Sequence, residues 1–222
     1  MLFRSGFPGD FIAQTLEDSN IQSDFVQVDE DTRINVKLKS GQETEINAPG
    51  PKVTHAQFEQ LLSQIRRTTN DDIVIVAGSV PNSIPSDAYA QIAQITEKTG
   101  AQLVVDAEKD LVETVLPYRP LFIKPNKDEL EVMFNTTVKS DEDVIKYGKE
   151  ILKKGAQSVI ISLGGDGAIY VDQHQSIKAV NPQGHVVNTV GSGDSTVAGM
   201  VAGLSMGLNI DEAFQDRKST RL

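Results

Sequence analysis

The 222-residue sequence contains no cysteine, which excludes disulfides, thiol chemistry and cysteine-based zinc sites. Basic residues are also scarce, with 21 Lys and Arg against 31 Asp and Glu and a formal net charge of -10. This excess of negative charge argues against a protein that binds nucleic acid or an anionic membrane surface. A phosphate-bearing ligand would therefore need cations gathered locally around it.

Long hydrophobic runs are lacking as well, so no membrane span is predicted, and the N-terminus has no secretory pattern. We therefore expect a cytoplasmic protein with a single domain, for which the length is sufficient. Residues 6–9 read as mid-domain sequence, and a helix pattern that begins at Asp211 stops without a terminating signal. We expect residues 6–216 to form a domain incomplete at both ends, and residues 1–5 and 217–222 to be foreign.

A stretch of small residues, 188–201, opens directly into an apolar helix and contains Gly191, Gly193 and Asp194. The first turn of a helix has unpaired N–H groups and partial positive charge, and glycines let a ligand come close. Such a turn can bind a phosphate or a developing oxyanion, and a carboxylate beside it can accept a proton from an attacking alcohol. Ser192 and Asp194 can equally be ordinary helix caps, so both interpretations stay open here.

Runs of β-branched residues alternate with amphipathic helical segments, which predicts an α/β fold with a doubly wound, mostly parallel sheet. The predicted strands cover residues 73–77, 103–106, 121–123 and 158–163, and the first is expected to be buried on both faces. Ligands bind at the carboxyl ends of the strands in such sheets.

The loops after these strands are Gly78–Ser79, Lys124–Glu129 and Gly164–Gly167. Each also has a plain structural interpretation, respectively a strand-ending turn, a capping box with its helix, and a hairpin turn. Asp106 ends the second strand and is given no role, because an aspartate there is commonly a loop residue.

A β hairpin is predicted near the N-terminal end. Ile34, Val36 and Leu38 alternate with polar residues and share one face of a strand, with Arg33 and Lys37 on the other. Turn residues at 39–42 allow residues 43–46 to return as the partner strand. The polar face is either solvated or closes over a ligand as a lid of about residues 26–50.

Several of these motifs together resemble the ribokinase-like carbohydrate kinases, the phosphofructokinase B family. The 188–201 stretch is similar to the family's C-terminal signature, and Lys-Pro-Asn-x-x-Glu (124–129) and Ser-Leu-Gly-x-x-Gly-Ala (162–168) are similar to its nucleotide motifs. Thr-Arg-x-Asn (32–35) and Thr-Glu-x-Asn (44–47) are typical of its hexose-phosphate branch. The resemblance implies a ribokinase-like fold with a small β-hairpin lid.

The resemblance implies an ATP- and Mg²⁺-dependent kinase that phosphorylates fructose 1-phosphate, with tagatose 6-phosphate as the alternative acceptor. It implies that the partner is a small sugar phosphate and that the protein binds neither nucleic acid nor a membrane. It also implies a homodimer formed through the lid. A nucleoside or ribose kinase is a further alternative. Another is a non-catalytic nucleotide- or sugar-binding relative or an inactive fragment, because the family's first-strand aspartate and Gly-Gly-x-Gly motif do not precede Gly6.

The resemblance also implies roles for individual residues. Asp194 would be the catalytic base and contact the sugar, beside an anion hole formed by Gly191, Ser192 and Gly193. Arg33 and Ser79 would bind the sugar phosphate, and Glu129 would act on the metal through water. The nucleotide would be bound by Lys124, Asn126, Ser162, Leu163, Gly164, Gly165, Asp166 and Gly167.

Overall fold

The computed structural model describes residues 3–40, 42–181 and 191–216. The strands in this part of the chain are β1 (Phe3–Arg4), β2 (Val26–Gln27), β3 (Asn35–Ser40), β4 (Gln42–Asn47), β5 (Ile73–Ala77), β6 (Gln102–Asp106), β7 (Phe122–Ile123), β8 (Ser158–Ser162), β9 (Ala168–Asp172) and β10 (Ser176–Ala179). The helices are α1 (Gly6–Asp18), α2 (His55–Ile65), α3 (Ala88–Thr99), α4 (Lys109–Val115), α5 (Lys127–Phe134), α6 (Asp141–Lys153), α7 (Ser192–Ser205) and α8 (Ile210–Asp216).

The central sheet has the strand order β10-β9-β8-β7-β6-β5 within the described residues. Strands β5 to β8 pair in parallel, whereas β8 with β9 and β9 with β10 form antiparallel hairpins. The parallel pairs are joined by helical crossovers, as this geometry requires. The predicted α/β fold with a mostly parallel sheet is thus confirmed.

Helices cover both faces of this sheet because successive strand side chains point to opposite sides. Val105, Ile123 and Ile161 face the core that α2 to α6 complete. Their neighbours Val104, Phe122 and Ile160 face the core that α7 and α8 complete. The sheet is therefore the middle of three layers.

Strand β5 departs from the expectation of burial on both faces. Val76 is buried, but Ile75 is 44% exposed. In the described part of the chain β5 pairs with β6 alone and forms the end of the sheet. The β-branched run was correctly read as a strand, but its place in the sheet depends on strand order, which the run does not encode.

Two small sheets lie outside the central one. Strands β1 and β2 pair in parallel, so Phe3 and Arg4, from the segment expected to be foreign, contribute to the fold. Strands β3 and β4 form the predicted antiparallel hairpin, with Val36 opposite Ile46. Its apolar side chains Ile34, Val36, Leu38 and Ile46 are all at least 42% exposed. The hairpin thus presents an apolar face that the described residues leave uncovered.

Side chains cap three of the helices as their sequence patterns predict. Thr54 and Gln57 form a capping box at α2, Asn126 and Glu129 form one at α5, and Ser140 accepts a bond at α6. Each cap satisfies N–H groups that the first helical turn leaves unpaired. Among the described residues, none of these helices has the length and apolar character needed to cross a membrane.

The two sides of α5 should differ sharply in their contribution to stability. Leu130 is fully buried under the sheet, whereas Val132, two residues further along the helix, is 64% exposed. We expect Leu130→Ala to lower the free energy of unfolding by about 2–5 kcal/mol, because a cavity replaces packed side-chain atoms. The matched control Val132→Ala should change it by less than about 0.5 kcal/mol. Urea unfolding would measure both, and equal costs would contradict this placement of α5.

Candidate active site

Four loops meet at the carboxyl ends of the parallel strands. Gly78 follows β5 and donates its N–H to the carbonyl of Asp106 at the end of β6, at 2.9 Å. Lys124 follows β7 and donates its N–H to the carbonyl of Val105 at 3.0 Å. Ser162 ends β8 and forms an isolated bridge with Asn126. Segments distant in sequence are thus tied together along one edge of the sheet.

Helix α7 begins at this edge with a glycine in a conformation that few other residues adopt. Gly191 has φ of 79°, in the left-handed region, and its carbonyl accepts the N–H of Ser195 at 2.8 Å. The N–H groups of Ser192, Gly193 and Asp194 precede that first helical bond and are available to a ligand. Asp194 is exposed. Residues 188–190 of the predicted motif lie outside the described residues.

A buried ion pair lies against the first turn of α7. The Nζ of Lys124 is 3.1 Å from Oδ1 of Asp106, and the lysine is only 6% exposed. A Cβ placed on Gly193 would lie 3.3 Å from this Nζ. The pair therefore connects the ends of β6 and β7 with α7, and a side chain at position 193 would press against the lysine.

Burial and neighbouring charges shift the pKa values of two carboxyl groups here. Burial raises the pKa of Asp106, Lys124 partly offsets this, and the charge of Asp194 raises it further. Burial also raises the pKa of Glu129, while the N–H of Asn126 and the charge of Lys124 act in the opposite direction. Asp106, Glu129, Lys124 and Asp194 thus belong to one electrostatic cluster, and perturbed groups of this kind are common in functional sites.

The capping box of α5 occupies part of this cluster. One carboxylate oxygen of Glu129, Oε2, accepts the N–H of Asn126 at 2.7 Å, and Oδ1 of Asn126 accepts the N–H of Glu129 at 2.8 Å. No group of three or more acidic or histidine side chains that could hold a metal occurs in the part of the chain that the structure describes. Mg²⁺ is usually bound by one or two carboxylates together with water and ligand phosphates, so it does not require such a group.

The turn at Gly164–Gly167 connects β8 to β9 and is held by hydrogen bonds from a residue outside the turn. The side-chain amide of Asn181 donates to the carbonyls of Gly164 at 2.9 Å and Gly165 at 3.3 Å. Gly167 is buried, and a Cβ there would collide with the carbonyl oxygen of Ala179. Gly164 and Gly165 are exposed and can meet a ligand, whereas Gly167 shapes the turn.

Arg33 and Ser79 line a cavity of about 520 Å³ beside β5. Asp194 is not part of its lining, but the cavity adjoins the Asp106 cluster through Tyr89. The Tyr89 hydroxyl donates to the carbonyl of Gly78 at 2.8 Å. Burial and the charge of Asp106 raise the pKa of Tyr89 to about 12. The structure thus places the candidate sugar and nucleotide residues in adjoining regions.

Asp106 and Tyr89 were not predicted as site residues. A signal for Asp106 was present, because it ends a strand whose two neighbours both end in candidate loops. Tyr89 is an apolar-face residue of α3, and no local pattern marks its bond to Gly78.

Comparisons with known proteins identify the family of the chain. A family model for pfkB family carbohydrate kinases matches residues 5–216. A 1-phosphofructokinase of Bacillus subtilis is 41% identical over 213 residues, which cover 96% of this chain and 70% of that protein. A D-tagatose-1-phosphate kinase of Bacillus licheniformis is 35% identical over 214 residues, which also cover 96% of this chain and 70% of that protein.

A solved structure extends the agreement to the fold. The crystal structure of a candidate phosphofructokinase from Staphylococcus aureus superimposes with a TM-score of 0.87 and is 76% identical. The match covers 98% of this chain and 71% of that one. Sequence motifs, fold and relatives agree, and the chain belongs to the pfkB family of carbohydrate kinases.

Proposed function

We propose that this protein is a 1-phosphofructokinase, which transfers the γ-phosphoryl group of ATP to the free primary hydroxyl of fructose 1-phosphate. Its family supports phosphoryl transfer to a carbohydrate, and the 41% identical relative supports this substrate. The observation that carries the proposal is Asp194, exposed in the glycine-led first turn of α7 beside the Lys124 ammonium. The kinase domain would comprise residues 6–216, with residues 26–50 as its lid.

Asp194 would act as the catalytic base. The sugar hydroxyl oxygen forms the new bond to the γ-phosphorus, the bond to the leaving ADP oxygen breaks, and the hydroxyl proton passes to the carboxylate. An exposed carboxylate is a weak base, but it suffices when the transition state is loose and the proton leaves late. The N–H groups of Gly191, Ser192 and Gly193 would stabilise charge on the transferred group, and losing one such donor typically costs about 3–4 kcal/mol.

The nucleotide would occupy the region between α5 and the turn after β8. Lys124 and Asn126 on one side and residues 162–167 on the other are joined by the bridge from Asn126 to Ser162. Glu129 uses one carboxylate oxygen in its capping box, so the other can hold Mg²⁺ through water. When bound, Mg²⁺ would neutralise phosphate charge.

The sugar phosphate would lie in the cavity beside β5. Arg33 supplies a fixed positive charge there, and its hairpin is held by Thr32, whose buried hydroxyl accepts the N–H of Ser5 at 3.1 Å. Ser79 also lines this cavity and has a hydroxyl that could contact the sugar phosphate. Such a cation suits a phosphorylated sugar better than the free sugar of a ribose or nucleoside kinase.

A kinase for a tagatose phosphate is the second candidate function. The sequence suggests tagatose 6-phosphate as its acceptor, and a relative named D-tagatose-1-phosphate kinase is 35% identical. Tagatose 1-phosphate differs from fructose 1-phosphate only in stereochemistry, so the same residues could hold either. Tagatose 6-phosphate also carries its phosphate at the other end of the sugar. A non-catalytic binding protein or inactive chain is the remaining alternative. The cytoplasmic location stays a prediction.

We further propose a homodimer formed through the hairpin of β3 and β4. Its apolar side chains lie exposed on a two-stranded ribbon, and an isolated ribbon is only marginally stable in water. Pairing with the same face of a second copy would cover these side chains in both chains at once.

The test of the reaction compares acceptors and a base variant. We expect ADP release with fructose 1-phosphate to exceed that with tagatose 6-phosphate, tagatose 1-phosphate or ribose. Asp194→Asn should lower kcat by about 100- to 10,000-fold, the usual contribution of a general base, while ATP binding measured by calorimetry is retained. The control is Asp110→Asn, because Asp110 is also an exposed aspartate in a first helical turn.

Near-normal turnover in Asp194→Asn would remove the base assignment. Faster turnover of a tagatose phosphate would favour the second candidate function. ATP binding without turnover of any acceptor would favour the non-catalytic alternative.

Arg33 should act on the sugar phosphate rather than on ATP. We expect Arg33→Ala to raise KM for fructose 1-phosphate by about 10- to 100-fold, because it removes a charge-assisted hydrogen bond. KM for ATP should change little. Arg66→Ala, which removes an exposed arginine just after α2, is the control. A larger effect on ATP than on the sugar would place Arg33 elsewhere.

The hairpin should control the oligomeric state. We expect Val36→Lys to shift the protein from dimer to monomer in light-scattering measurements, because it brings like charges together across a self-complementary interface. Val132→Lys introduces the same charge at an exposed valine on α5 and should leave the dimer intact. A monomeric unsubstituted protein, or equal effects of the two variants, would refute the hairpin interface.

A further inference from the structure

The buried pair of Asp106 and Lys124 needs an explanation beyond stability. An ammonium that is almost fully buried requires an anionic partner, and Asp106 supplies it at 3.1 Å. Buried pairs of this kind are nevertheless weak contributors to net stability, since apolar replacements of both partners often do as well. The location of the pair, where β6, β7 and α7 meet, is therefore more informative than its burial.

Lys124 has more than one carboxylate within electrostatic reach. Its charge acts on Asp106 and on Glu129, while Asp194 acts on Asp106. A lysine side chain is a flexible stem that can turn towards any of several anions. The short contact with Asp106 holds the ammonium where a Cβ on Gly193 would nearly touch it.

We propose that Asp106 is a positioning residue, whose carboxylate holds the Lys124 ammonium against the first turn of α7. A phosphoryl group bound there meets the backbone N–H groups of the helix and a fixed cation together. This inference rests on the proposed function only for its consequence in catalysis, because the ion pair itself can be tested without any substrate.

The pair makes a clear prediction for the isosteric variant Asp106→Asn. Without its anionic partner, the buried Lys124 ammonium is uncompensated and should leave its site. Its amine should then react at least about tenfold faster with an acetylating reagent. Peptide mass spectrometry would measure this rate against that of Lys153, an exposed lysine in α6. In the same variant kcat should fall by about 10- to 100-fold, as expected when a transition-state interaction is lost. KM for ATP should rise by a smaller factor, because Lys124 also belongs to the proposed nucleotide site.

Two further variants guard against simple misfolding. Asp106→Glu keeps the charge and should recover part of kcat and most of the protection of Lys124. The double variant Asp106→Asn with Lys124→Met removes both charges, so it should be more stable than Asp106→Asn alone but no more active. Asp24→Asn, which removes the exposed pair of Asp24 with Arg67, is the control and should match the unsubstituted protein.

The outcomes separate this inference from the proposed function. Unchanged acetylation of Lys124 in Asp106→Asn would overturn the positioning role whatever the activity. Faster acetylation with unchanged kcat would also overturn it, because the cation would then have no role in transfer. An unsubstituted protein that phosphorylates none of the acceptors would refute the proposed function, and the acetylation rates would still decide whether Asp106 holds Lys124.

Discussion

Parallel pairing of β5 to β8 is the constraint on which the site depends. Strands that run in one direction end at one edge, so the residues after them become neighbours although the chain separates them widely. The bond from Gly78 to Asp106 and the bridge from Asn126 to Ser162 show this along the edge. Helix α7 packs on one face of the same sheet, which brings Asp194 to that edge. A one-residue slip in any strand would turn its side chains to the opposite face and separate these groups.

The electrostatics of this edge are unusual for a site that would receive phosphates. The chain carries a formal net charge of -10, and three carboxylates, Asp106, Glu129 and Asp194, lie in the cluster with Lys124. Such a set would repel a nucleotide unless positive charge were placed accurately. In the proposed function, the helix dipole of α7, the lysine beside it and Mg²⁺ would each supply that charge at short range. The negative surface elsewhere then disfavours other polyanions.

Features governed by short-range contacts could be predicted from the sequence. The capping box of Asn126 and Glu129, the glycine start of α7 and the hairpin each depend on residues only a few positions apart. The exposure of Ile75, the pairing of Asp106 with Lys124 and the bond of Tyr89 to Gly78 could not be predicted in this way. They depend on which strands lie side by side, and strand composition does not specify that order. The roles given to individual site residues stay predictions.

Structural and functional interpretations of the same residues are compatible at this site. The Asn126 cap fixes the start of α5, and by doing so it fixes where Glu129 presents its second carboxylate oxygen. The side-chain amide of Asn181 donates hydrogen bonds to the carbonyls of Gly164 and Gly165, so the exposed part of the turn after β8 is held in one orientation. A phosphate-binding loop that is already ordered binds more tightly, because ordering it on binding would reduce affinity. In the proposed function, caps and turn contacts of this kind would provide the preorganisation that phosphoryl transfer requires.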